Sequence, residues 1–153
     1  MSGLSYVVRH PALAYTAAAN VICQLTTGAG NPIVIERIEL QSNNLTSAQS
    51  LAILQWGFYA TGTSTGGSTP TPQPLIKRLS NSANTGARVN TATMGTTFTP
   101  YDEWQWNTAL PFDHVMGLDS LKILVPVSTA WALIFPSSPG TPTISGAIYF
   151  TEM

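Results

Sequence analysis

Charge is what this chain has least of. Six Lys+Arg and seven Asp+Glu in 153 residues amount to 8%, with a net charge of −1, against about 25% in an ordinary soluble domain. No basic stripe is available to release phosphate counterions, which argues against a nucleic-acid partner and equally disfavours an anionic membrane surface. A single cysteine, Cys23, excludes an intramolecular disulfide and any dependence on an oxidising compartment. The longest apolar runs, such as Trp131–Phe135, fall far short of a membrane span. Two histidines, His10 and His114, are too few for a typical zinc site and lie outside metal-binding spacings, so no metal or cofactor is expected. Arg9, His10 and Pro11 interrupt the first apolar stretch before a secretory core can form, so no export signal is expected and the Asn44-Leu45-Thr46 sequon carries no weight.

Thr, Ser, Asn, Gln, Gly and Pro stand where the charges would be, giving a polar but nearly neutral exterior that favours association over life as a dilute monomer. Helical periodicity is hard to find, whereas period-2 alternation with turn punctuation recurs. Leu13–Leu25 alternates on one phase and places Cys23 toward a core. Ile33–Leu40 is a second strand whose apolar phase switches between Ile35 and Ile38, predicting a bulge or burial on both faces. Leu51–Ala60 is the clearest strand. The stretch 61–74 (TGTSTGGSTPTPQP) has no hydrophobic anchor and is expected to be an exposed loop or arm, and Ser80–Gly95 is again turn-rich. Strands return at Thr96–Thr99, Leu121–Val127, Trp131–Phe135 and Ile144–Thr151, with Tyr101–Thr108 read as a helical turn. About eight short strands with loops of unequal length point to one domain over 1–153, an antiparallel two-sheet β-sandwich of jelly-roll type, with an up-and-down β-barrel as the alternative.

Motifs for catalysis are thin. Gly62-Thr63-Ser64-Thr65-Gly66 matches a hydrolase nucleophile elbow, but Gly67-Ser68-Thr69-Pro70 cannot open the helix that such an elbow needs. Asp113 and His114 are strand neighbours and point to opposite faces. Asp102 and Glu103 beside Trp104 and Trp106 are the best candidates for sugar chemistry, a carboxylate pair with stacking platforms. The two tryptophans, two residues apart, share one side and are read as a contact surface. Lys77-Arg78 is the one adjacent basic pair, and Arg37 with Glu36 and Glu39 can form cross-strand pairs within or between subunits. The chain is therefore not expected to be an enzyme or to take a small-molecule substrate.

The layout resembles small jelly-roll virion proteins of tailed bacteriophages, particularly head decoration (cement) proteins. The resemblance lies in the alternating run ending in VICQL, the IVIERIEL strand, the ILQWGFYATG strand leading into a Thr/Gly/Pro loop, and the final ISGAIYFTE strand. It implies a homotrimer on the outside of an icosahedral capsid, assembled in the host cytoplasm, that clamps neighbouring major capsid subunits without catalytic residues. The interface candidates read from the residues are Arg9, Lys77, Arg78, Tyr101, Trp104 and Trp106. Alternatives are a carbohydrate-binding or host-recognition β-sandwich, a small capsid protein, and a tail or baseplate component. A genome-facing capsid protein would carry a basic arm, and the first ten residues hold only Arg9.

Overall fold

Alternating apolar residues build eleven strands in a computed structural model that describes residues 3–14, 21–43, 51–59, 64–76, 82–91, 95, 97–117, 122–137 and 142–153. The strands are β1 (Leu4–Ala14), β2 (Val21–Thr26), β3 (Ile33–Ser42), β4 (Leu51–Tyr59), β5 (Gln73–Pro74), β6 (Gly86–Thr91), β7 (Phe98–Asn107), β8 (Phe112–Val115), β9 (Ile123–Val125), β10 (Ala130–Ile134) and β11 (Thr143–Glu152). The first sheet runs β5-β1-β11-β3-β8, with β9 also on β3; the second runs β6-β2-β10-β4-β7. Every pairing is antiparallel. Apart from β4 and β7, which pair within the second sheet, consecutive members of β1, β2, β3, β4, β7, β8, β10 and β11 alternate between the sheets, which excludes the up-and-down barrel. Setting aside the peripheral β5, β6 and β9, the strand order is that of a double Greek key, the jelly roll.

The inner faces meet in one apolar core. Trp131, Leu133, Leu25, Cys23 and Leu54 come from the second sheet, and Tyr6, Val8, Ile35, Ile38, Ile148 and Phe150 from the first. Cys23 is fully buried, as its phase predicts, and burial pushes its thiol up to about 12. The phase switch in β3 is a bulge: Tyr149 pairs with Arg37 and Phe150 with Ile35, so Glu36 is the extra residue. That spare residue lets both Ile35 and Ile38 face inward.

Several elements depart from the sequence reading. The run Leu13–Leu25 belongs to two strands, β1 and β2, because the first apolar stretch is itself a strand; residues 15–20 lie outside the described residues. Of Tyr101–Thr108, the part up to Asn107 belongs to β7 rather than to a helical turn, with Asp102–Asn107 paired to Leu51–Trp56 of β4. The strand expected at Thr96–Thr99 begins at Phe98, and Ser80–Gly95 contains β6, a strand made mostly of small and polar residues. The stretch 61–74 does expose Thr65–Thr69, yet it is anchored at both ends. Ser64 is buried, its N–H donating to Gln24 Oε1 at 2.8 Å and its Oγ lying 2.9 Å from the Tyr59 hydroxyl, while Gln73–Pro74 pairs with β1.

The inserted segment between β4 and β7 therefore lines one side of the sandwich. β5 extends the first sheet at β1, and β6 extends the second at β2. Ser64 sits over a second apolar layer on the outer face of the second sheet, made by Val21, Tyr59, Ala130, Ala132 and Ile134 with Phe98 against them. The Thr85 N–H donates to the buried Glu152 Oε1 at 2.8 Å, which ties the approach to β6 to the end of β11.

Candidate functional site

On the opposite side, where β7 edges one sheet and β8 and β9 edge the other, the gap between the sheets is filled by aromatic rings. Trp104 meets Phe112 at 5.7 Å and His114 at 4.7 Å between ring centres, Trp106 meets Phe112 at 6.2 Å, and Trp56 meets Trp104 at 6.3 Å. The residues responsible alternate along β7 and β8, so rings from two sheet edges converge on one seam.

At the β9 end the seam opens into a cleft lined by Trp56, Phe58, Tyr101, Asp102, Lys122, Ile123 and Leu124. A second bulge makes it. Trp56 pairs with Asp102 and Gly57 with Pro100, leaving Tyr101 as the spare residue of β7. Two neighbours that strict alternation would send to opposite faces, Tyr101 and Asp102, thus both border the cleft. Tyr101 stacks on Trp56 at 4.9 Å and 29°, and stands edge-on to Phe58 at 6.4 Å, while remaining 74% exposed. Trp56 beneath it is 7% exposed, and its indole N–H has no acceptor among the described residues.

The candidate interface residues scatter. Arg9 is exposed on β1, and Tyr101 is exposed at the cleft. Lys77 and Arg78 lie outside the described residues. Trp104 is half-buried, and Trp106 is removed from the list: it is 3% exposed in the core and its indole N–H donates to the Leu110 carbonyl at 2.8 Å. The two tryptophans do share a side, but that side is the interior. Asp102 and Glu103 do not converge either. Asp102 borders the cleft, whereas the Glu103 carboxylate accepts from Gln55 Nε2 at 3.2 Å on the outer face. Trp56, Phe58, Lys122 and Leu124 were missed, because each joins the cleft only through pairing between distant strands.

Ser64 of the Gly62–Gly66 motif leads into an exposed turn with Gly66 and Gly67 at positive φ, not into a helix. Asp113 and His114 point apart as expected. The Asp113 carboxylate takes two bonds from Arg37, at 2.9 and 2.8 Å, which hold its pKa below the ordinary value, while His114 packs on Trp104. The Arg37 pairing lies within one chain: it also meets Glu39 at 2.6 Å and covers the Tyr149 ring at 5.7 Å. The Tyr149 hydroxyl donates to Glu39 Oε2 at 2.9 Å, and its pKa is raised by burial first and by that carboxylate second. No group of three or more metal-ligating side chains occurs among the described residues.

His10 faces the core from β1, opposite Gly146. A side chain at position 146 would run into the Glu39 carbonyl, Leu40 Cδ2 at 2.8 Å and His10 Nε2 at 2.9 Å, so glycine there makes room for the imidazole. Burial holds the His10 pKa below its ordinary value, with the Pro11 carbonyl at 3.3 Å opposing weakly. The unfolded chain therefore binds this proton more readily than the folded one. The stability held by neutral His10 is complete above about pH 6.5 and is lost as pH falls from there through the lower folded-state value. Urea midpoints at about pH 7.5 and about pH 5 are expected to differ less in His10→Gln than in the parent chain; equal differences would assign the loss to other groups.

Comparison with protein-family models, with curated proteins and with solved structures finds no match for this chain.

Proposed function

We propose that the chain is a virion structural protein: a capsid decoration subunit that binds the outside of an icosahedral head as a homotrimer and holds neighbouring major capsid subunits together. The observation that carries the reading is a jelly roll with a nearly chargeless exterior that nonetheless presents large apolar side chains to solvent. Leu51, Leu110 and Val115 are each more than half exposed. Apolar side chains in a neutral polar surround suit a protein partner, and contacts of this kind lose little affinity in salt. Jelly rolls serve both capsids and lectins, so the fold supports the reading without deciding it. Three copies of a modest patch on one rigid trimer would gain effective concentration and turn weak contacts into firm attachment.

Size-exclusion chromatography with light scattering, followed by co-sedimentation with purified heads, tests this. A trimer that sediments with heads and raises their resistance to heat is the expected result. A monomer at every concentration that leaves heads unoccupied would overturn the reading.

A further inference from the structure

We propose that the cleft between β7 and β9 is a binding site for a neutral pyranose ring, such as the terminal sugar of a surface glycan. The inference is independent of the decoration role and rests on how the cleft is built. Its floor is aromatic and largely buried, from Trp56 and Phe58, and its rim carries Tyr101, a ring fixed by stacking yet mostly open to solvent. The apolar C–H face of a pyranose packs on such a surface, while its hydroxyls need polar partners at the edge.

Those partners stand on the same rim. Asp102, one of whose carboxylate oxygens accepts from the Glu103 N–H at 2.8 Å, brings the other to the edge as an acceptor, and Lys122 lines the same rim with a cationic side chain. One charge of each sign selects a neutral ligand over an anion or a cation. A phosphate would meet Asp102 unfavourably, and a cationic ligand would meet Lys122. Two further depressions among the described residues lack this combination. The one across the first sheet holds Arg9, Glu39 and Asp113 without an exposed stacked ring, and the one beside β6 is lined by Thr, Pro and Arg88 with no aromatic residue.

The positioning also has a cost that packing alone does not require. The β7 bulge brings Tyr101 over Trp56, and it is accommodated only because position 57 has no side chain to strike Thr99 and Pro100. Bulges of this kind re-aim side chains beside binding sites.

The test is a tryptophan-fluorescence titration of the full chain with methyl glycosides of glucose, galactose, mannose and N-acetylglucosamine, with glycerol as the non-ring control. At least one glycoside is expected to give a saturable change at about millimolar Kd, with glycerol silent. Tyr101→Ala should weaken that binding about tenfold or more while lowering the urea midpoint only modestly, by the stacking on Trp56 and Phe58 that it loses. Asp102→Asn should weaken it less and alter the preference among the glycosides. Silence toward all four sugars, or binding that Tyr101→Ala leaves intact, would overturn the proposal. So would a finding that Tyr101 is protected by head binding while no sugar responds. Trimer formation and head binding are read separately, so either proposal can fail alone.

Discussion

Gly57→Ala is expected to cost about 3 kcal/mol or more of unfolding free energy, one of the largest effects available to a single methyl group in this molecule. The added carbon would overlap the Thr99 carbonyl oxygen and lie 2.9 Å from Pro100 Cα. Neither is the tip of a flexible side chain. Relief requires β4 and β7 to part at the bulge, and that removes ladder hydrogen bonds on both sides of it. For a domain of this size the loss corresponds to a Tm about 10 °C lower. The control is Gly30→Ala, where an added carbon meets nothing within 4 Å; it should stay within about 0.5 kcal/mol of the parent. Urea denaturation of both variants gives the comparison, and equal midpoints would mean that β7 is not held against β4 as described. Because Tyr101 rides on the bulge, Gly57→Ala should also disturb its stacking on Trp56 and shift the tryptophan emission.

Trp131→Ala is the second large effect, about 3–5 kcal/mol. Trp131 is fully buried on β10, the central strand of the second sheet, between Leu25 of β2 and Phe58 of β4. Truncation leaves a cavity bounded by two paired strands and the opposite sheet, none of which can collapse into it freely. A second substitution separates volume from polarity. The Trp131 indole N–H is buried with no acceptor among the described residues, so Trp131→Phe loses volume but also removes an unmet donor. It should cost about 1–2 kcal/mol, well under half the alanine penalty. A phenylalanine variant as unstable as the alanine one would mean that the indole nitrogen has a partner after all.

The central strands were readable because they obey one rule throughout. Ala52, Leu54, Trp56 and Phe58 keep a single phase along β4, Cys23 falls among the buried residues of β2, and even the β3 bulge announced itself as a slip between Ile35 and Ile38. β7 was misread because it is an edge strand with only one covered face, and its spare residue at Tyr101 breaks the alternation on which a strand is recognised. β6 offered little apolar pattern at all, since Gly86, Asn90 and Thr91 stand among its six residues. The cleft was illegible for a different reason. Trp56 and Tyr101 come from β4 and β7 of one sheet and Lys122 from the residue just before β9 of the other, and no spacing along the chain encodes that meeting. Trp104 and Trp106 show the limit of periodicity most plainly: a shared side could be inferred, but whether it faced solvent or core depended on where the second sheet lay.

The pairing of β11 has a consequence in time. β11 lies between β1 and β3, with Leu4 opposite Glu152 and Ile144 opposite Ser42. On a ribosome, the N-terminal strands must wait, without the neighbour that joins them, until more than a hundred further residues have emerged. The closure entropy of so long a loop is met before any of its contacts form, so assembly of this sheet should be slow, in milliseconds to seconds, and should follow release of the β11 segment from the exit tunnel. In that interval β1 and β3 present bare backbone edges to any other nascent copy nearby, and crowded synthesis is where this fold is most exposed to mispairing.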